Sequence, residues 1–115
     1  MNFEKLDVWK KSARLSAELY KATADLRDYG FRDQLTRSGL SVPSNIAEGM
    51  TRSSKKEKCR FLEIARSSLA EARTQIYIGI DIGYLSSTEG KNWLEQTHHI
   101  SMMITGLMKA VESNE

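Results

Sequence analysis

Residues 54–84 read SKKEKCRFLEIARSSLAEARTQIYIGIDIGY, and this run decides the fold. Ser54, followed three residues later by Glu57, has the spacing of a helix start in which the serine oxygen accepts from a first-turn N–H and the glutamate reaches back. Behind it Leu62, Ala65, Leu69, Ala72, Ile76 and Ile80 recur at steps of three and four, the period that lines one face of an α-helix. The pattern predicts a helix to about Tyr84, roughly 45 Å long at 1.5 Å per residue. One apolar face of that length requires other elements to cover it.

The flanking sequence supplies three of them. Downstream, Ser86-Ser87-Thr88-Glu89 repeats the start signal, and Trp93, Thr97, Ile100, Ile104, Leu107 and Val111 form a second stripe that predicts a helix to about Glu112. Upstream, Phe31, Leu35, Gly39, Val42 and Ile46 predict a helix over about 31–48, with Gly49 placed to end it. Pro43 lies inside that stripe, where it removes a backbone donor and crowds the carbonyl four residues earlier. A kink near Gly39 to Pro43 is expected, with Ser41, Ser44 and Asn45 available to bond the freed groups; two short helices split at Ser41 are the alternative. Val8, Leu15, Leu19, Ala22 and Leu26 predict a first helix over about 6–27, stopped by Asp28-Tyr29-Gly30 with Gly30 left-handed. Four amphipathic helices with short connections make an all-α, antiparallel up-down-up-down four-helix bundle, one domain over residues 1–115.

Composition narrows the function. Hydrophobic residues are 40% and charged residues 28% of the 115, an ordinary globular balance. Apolar stretches are broken every few residues, far short of the roughly 20 that span a bilayer. Cys59 is the single cysteine, so no intramolecular disulfide forms, and the N-terminus lacks the pattern of a secretory signal. A cytoplasmic location is expected. The net charge is only +2, but residues 30–75 carry nine Lys and Arg against five Asp and Glu, whereas 76–115 carry two against five. The positive charge is concentrated in the middle of the chain.

Catalytic and metal chemistry find no support in these residues. His98 and His99 are adjacent, and neighbours on a helix point about 100° apart, so no metal ion is expected; one partly buried and one solvated histidine is the reading. Cys59 has no base placed beside it and reads as a half-buried structural cysteine. Phosphate-binding glycine loops, nucleophile elbows and H-E-x-x-H pairs are missing, so the chain reads as non-enzymatic and without a cofactor. On a helical wheel Arg52, Lys55, Lys56, Arg66 and Arg73 form a stripe beside the core face, diluted by Glu63. Such a stripe either follows a phosphate backbone or is an ordinary solvated face. Trp9, Phe61, Tyr77 and Trp93 read as core or interface. Phe61, Tyr77, Ile78 and Ile80 make the third helix apolar over more than one face, which argues for self-association. The polar segment 40–49 either satisfies its own kink or presents Asn45 and Glu48 to a partner.

Several motifs resemble one family. Phe3, Leu6, Val8 and Trp9, then Ser41-Val42-Pro43-Ser44-Asn45-Ile46-Ala47-Glu48-Gly49, then Arg52, Ser54-Lys55-Lys56-Glu57 and Arg60-Phe61-Leu62, then Gly83-Tyr84-Leu85 are similar in order and type to the four-helix-bundle proteins encoded in intervening sequences of bacterial 23S rRNA genes. The resemblance covers about residues 3–85. It implies an antiparallel four-helix bundle assembled into a ring-like homopentamer, a kinked rather than split second helix, and no enzyme activity. A related branch, the accessory variability determinant protein of diversity-generating retroelements, is a basic barrel that binds nucleic acid and a reverse transcriptase. By charge and position, the contact candidates here are Arg37, Arg52, Lys55, Lys56, Arg60, Arg66 and Arg73. Ser41, Pro43, Ser44, Asn45, Glu48 and Gly49 are the family motif, structural or partner-binding. The sequence departs from the pattern at Leu35-Thr36-Arg37, where many members have a second arginine, and at Ser67-Ser68-Leu69-Ala70-Glu71-Ala72, which replaces Gly-Ser-Leu-Ala-Glu-Leu. The expected function is a homo-oligomer that binds RNA or DNA; the alternative is a scaffold that holds a partner protein.

Overall fold

Serine caps set the two long helices. Ser54 Oγ accepts from Glu57 N and Ser86 Oγ from Glu89 N, both at 3.1 Å, satisfying first-turn donors that lack a partner within the helix. The computed structural model describes residues 2–114. After a 3-10 turn at Phe3–Lys5 it has four helices: α1 (Asp7–Ala22), α2 (Tyr29–Met50), α3 (Lys55–Asp81) and α4 (Ser87–Ser113). Each packs on its neighbours in sequence, and α1 closes against α4, giving an up-down bundle of 48 × 21 × 20 Å. Leu15 and Leu19 from α1, Leu35, Val42 and Ile46 from α2, Leu62, Leu69 and Ile76 from α3, and Trp93, Ile100 and Ile104 from α4 form one buried core.

Two helix ends differ from expectation. The first helix stops at Ala22 rather than near residue 27. Thr23 is wholly buried, and its hydroxyl donates to Leu19 O at 2.8 Å; Ala24 N to Lys21 O and Leu26 N to Thr23 O then tighten the chain into turns. Ala22 is therefore exposed and Leu26 only half-buried. Gly30 does not stop that helix. It lies in the first turn of α2, capped by Asp28 Oδ1 accepting from Phe31 N at 3.1 Å.

The left-handed glycine is Gly83, with φ of 80°. Tyr84 N bonds Gly79 O and Gly83 N bonds Ile80 O, the paired pattern that closes a helix through a left-handed residue. This ends α3 at Asp81, three residues before the predicted Tyr84.

α2 runs unbroken through Pro43, which excludes the split at Ser41. Asn45 Nδ2 donates to Ser41 O at 2.8 Å and to Ser41 Oγ at 2.9 Å, so Asn45 serves the backbone beside the proline. Ser44 instead faces solvent. Gly49 does not end α2 either, which continues to Met50. A Cβ at Gly49 would stand 3.0 Å from Phe61 Cβ and 3.1 Å from Lys58 O, so this glycine lets α2 and α3 approach closely at the end where their connecting loop lies.

Candidate nucleic-acid interface

The α2–α3 connection places four of the seven candidate cations together. Arg52 follows the last turn of α2, fixed by its N–H to Gly49 O at 3.1 Å and by Thr51 Oγ1 donating to Glu48 O at 2.7 Å. Lys55, Lys56 and Arg60 occupy the first two turns of α3. Lys55, Lys56 and Arg60 line a shallow groove of about 620 Å³ with Cys59, Ile64 and Met108, and with Glu63 and Glu112 on its acidic side. Lys58, in the same run, points the other way and donates to Met50 O at 3.2 Å, closing the end of α2.

These cations differ in what neutralises them. Arg52 pairs with Glu48, and Arg60 with Glu57 at 3.4 Å. Among the described residues, Lys55 and Lys56 have no carboxylate within ion-pair distance and are exposed. Phe61 sits under both guanidiniums: Arg52 Cζ lies 4.7 Å and Arg60 Cζ 5.5 Å from its ring centroid.

The other three candidates lie apart from this cluster. Arg66 Nη1 donates to Thr105 Oγ1 at 3.1 Å, and Arg73 Nη1 to Leu94 O at 2.7 Å and Thr97 Oγ1 at 2.8 Å, so both bridge α3 to α4. Arg37 is exposed in a separate polar groove of about 410 Å³ between α2 and α3, with Ser38, Ser41, Ser68, Glu71 and Gln75. Across its floor Ser38 Oγ meets Gln75 Oε1 at 2.9 Å and Ser41 Oγ meets Ser68 Oγ at 2.8 Å. Of the motif residues, Ser41 and Asn45 belong to this seam, Pro43 and Ser44 border an α1–α2 groove with Phe3 and Trp9, and Glu48 holds Arg52.

The remaining reactive side chains are unremarkable in setting. Burial first, then the negative charges of Glu112 and Glu63, raise the Cys59 thiol pKa, which disfavours the nucleophilic thiolate. His98 and His99 are both exposed, not one half-buried as expected, because Thr97 and Ile100 take the inward positions. Among the described residues no three His, Cys, Asp or Glu gather as a metal site, and no helix is long and apolar enough to cross a membrane.

The sequence reading missed the pairing of the arginines and the role of Glu48. The signal was present as Glu48 and Arg52 four residues apart, a spacing that brings helix side chains together.

Comparison with known proteins adds two findings. A family model described as 23S rRNA-intervening sequence protein matches residues 4–106. A crystal structure of a protein of unknown function from the S23 ribosomal protein family of Bacteroides thetaiotaomicron superposes with a TM-score of 0.83 at 21% identity, covering 89% of this chain and 98% of that one. At that identity it establishes the shared bundle alone. No curated protein matches the chain.

Proposed function

We propose that this chain, which belongs to the 23S rRNA-intervening sequence protein family, is a non-enzymatic, cytoplasmic homo-oligomer that binds RNA or another nucleic acid at the α2–α3 end of its bundle. The observation that carries the reading is the pair Lys55 and Lys56, exposed and free of carboxylate partners among the described residues. They stand at the start of α3, where the helix dipole already favours negative charge. Two lysines there oppose the dipole, and a bound phosphate relieves both unfavourable terms. The homopentameric ring and the kinship to the accessory variability determinant protein belong to the same proposal.

Binding of a short RNA to Lys55→Gln/Lys56→Gln/Arg60→Gln, followed across salt concentrations, tests this. Each lost phosphate contact flattens the slope of log affinity against log salt by roughly 0.7–0.9, so a clear flattening is expected together with weaker binding. Unchanged affinity and slope would remove this surface from consideration.

A second reading is a scaffold that holds a partner protein. Tyr29, Ile78 and Ile82 favour it, being 60%, 47% and 53% exposed at the opposite end, where the start of α2 meets the end of α3. Apolar docking there is insensitive to salt, which separates the two readings. Light scattering with and without nuclease and high-salt washing reads oligomeric state and bound nucleic acid together.

A further inference from the structure

Resting on the nucleic-acid reading, we propose that Arg52 is a stacking platform for an unpaired base, so that this end of the bundle takes single-stranded nucleic acid rather than duplex. Arginine side chains on a surface ordinarily sample many rotamers. Here the guanidinium is held twice: Phe61 lies under it at 4.7 Å, and Glu48 grips its edge through Nη2. Phe61 is itself half-buried, packed against Gly49 where α2 and α3 approach closely. With Phe61 and Glu48 both holding it, the side chain is still 43% exposed, which leaves part of the guanidinium open to a ligand.

A flat cation left partly open suits a nucleobase, whose π-surface stacks on arginine planes when the base is splayed out of a helix. Bases inside a duplex present edges, not faces, and cannot reach such a platform. Charge is divided accordingly. Glu48 offsets the charge of Arg52 and Glu57 that of Arg60, whereas Lys55 and Lys56, close by in sequence, have no carboxylate partner among the described residues. The lysines take phosphates, and the arginine on its aromatic support takes the base between them.

Arg32 supplies a control. Its Cζ lies 4.7 Å over Tyr29 and its Nε meets Asp33 at 3.3 Å, a similar pair of contacts near the start of α2, but Tyr29 is 60% exposed where Phe61 is half-buried, and the charged sequence neighbours are Asp28 and Asp33 rather than lysines.

The test uses a short single-stranded RNA carrying a fluorescent adenine analogue, and the blunt-ended duplex of the same strand with its complement. The full chain should prefer the single strand and quench the analogue on binding. Arg52→Lys keeps the charge and loses the plane: affinity for the single strand should fall about tenfold, within the range that stacking one base supplies, with quenching lost and the salt slope unchanged. Phe61→Leu, which removes the support, should act alike. Lys55→Gln/Lys56→Gln should flatten the salt slope yet keep quenching at saturation, and Arg32→Lys should match the parent. Equal binding of single strand and duplex, unaffected by Arg52→Lys, overturns the platform while leaving the nucleic-acid reading intact. No binding of either probe at low salt overturns both.

Discussion

The phenol of Tyr84 donates to Asp28 Oδ2 at 3.0 Å while Asp28 Oδ1 accepts from Phe31 N at 3.1 Å. One carboxylate thus caps α2 and ties the turn after α3 to it, and the Tyr84 ring packs edge-on against Phe31 with centroids 5.3 Å apart. The hydrogen bond to Asp28, followed by burial and by the charge of Asp28, raises the Tyr84 pKa above its usual 10.0.

A group that holds its proton more tightly in the folded state contributes stability that is complete below its unfolded pKa and is lost as pH climbs through the raised folded value. Tyr84→Phe should therefore be less stable than the parent near neutral pH, and the gap should close above about pH 10. Urea unfolding of both proteins across that range measures it. A gap that stays constant would mean the hydroxyl contributes nothing through its proton.

Gly49 and Gly106 predict opposite responses to alanine. At Gly49 the added methyl meets the α3 backbone and Phe61, so Gly49→Ala should cost about 1–3 kcal/mol through overpacking. Gly106 lies inside α4 with no atom within 4 Å of an added Cβ, so Gly106→Ala should gain about 0.5–1 kcal/mol by restricting the unfolded chain. Unfolding midpoints at one fixed protein concentration decide the matter; loss of stability at both sites would contradict it.

Arg73 contributes to the fold. Its two bonds to α4 are charge-assisted, to Leu94 O and Thr97 Oγ1, and Arg73→Met should destabilise the protein by about 1–3 kcal/mol. Lys55→Gln/Lys56→Gln, on open surface, should stay within about 0.5 kcal/mol of the parent. Thermal unfolding separates the two sets, and equal stability of Arg73→Met and the parent would argue against a structural role.

Trp93 is 2% exposed and its Nε1 donates to Glu18 Oε1 at 3.0 Å, a direct bond across the thinly packed α1–α4 seam. Glu18→Ala leaves a buried donor unmet and should cost about 1–3 kcal/mol, with faster amide exchange in α1 than in α3. Glu18→Gln, which keeps an acceptor, should be milder. Uniform exchange across all four helices in Glu18→Ala would show that this bond does not hold α1 in place.

Much of this fold was legible because the apolar stripes of α3 and α4 are long and regular, and Ser54 and Ser86 mark their starts. Hydroxyls were harder to read. Ser12, Thr23, Thr36 and Ser38 are buried, yet hydropathy counts them as polar; each bonds a carbonyl three or four residues back and so enters the core at little cost. Thr23 ended α1 early for this reason. The basic stripe on α3 was visible as a wheel pattern, but a wheel treats all cations alike. It could not say that Arg66 and Arg73 reach across to α4, since that depends on which helix packs on that flank.

The polar floor between α2 and α3 also bears on register. A periodic apolar stripe tolerates sliding by whole turns, because leucine meets leucine again. The pairs Ser38 with Gln75 and Ser41 with Ser68 do not, for a slide of one turn, about 5.4 Å, would part both hydroxyls from their hydrogen-bond partners. Arg52 follows the end of α2 and Phe61 lies on α3, so the same hydroxyls, a few turns distant, help to key the guanidinium over its ring.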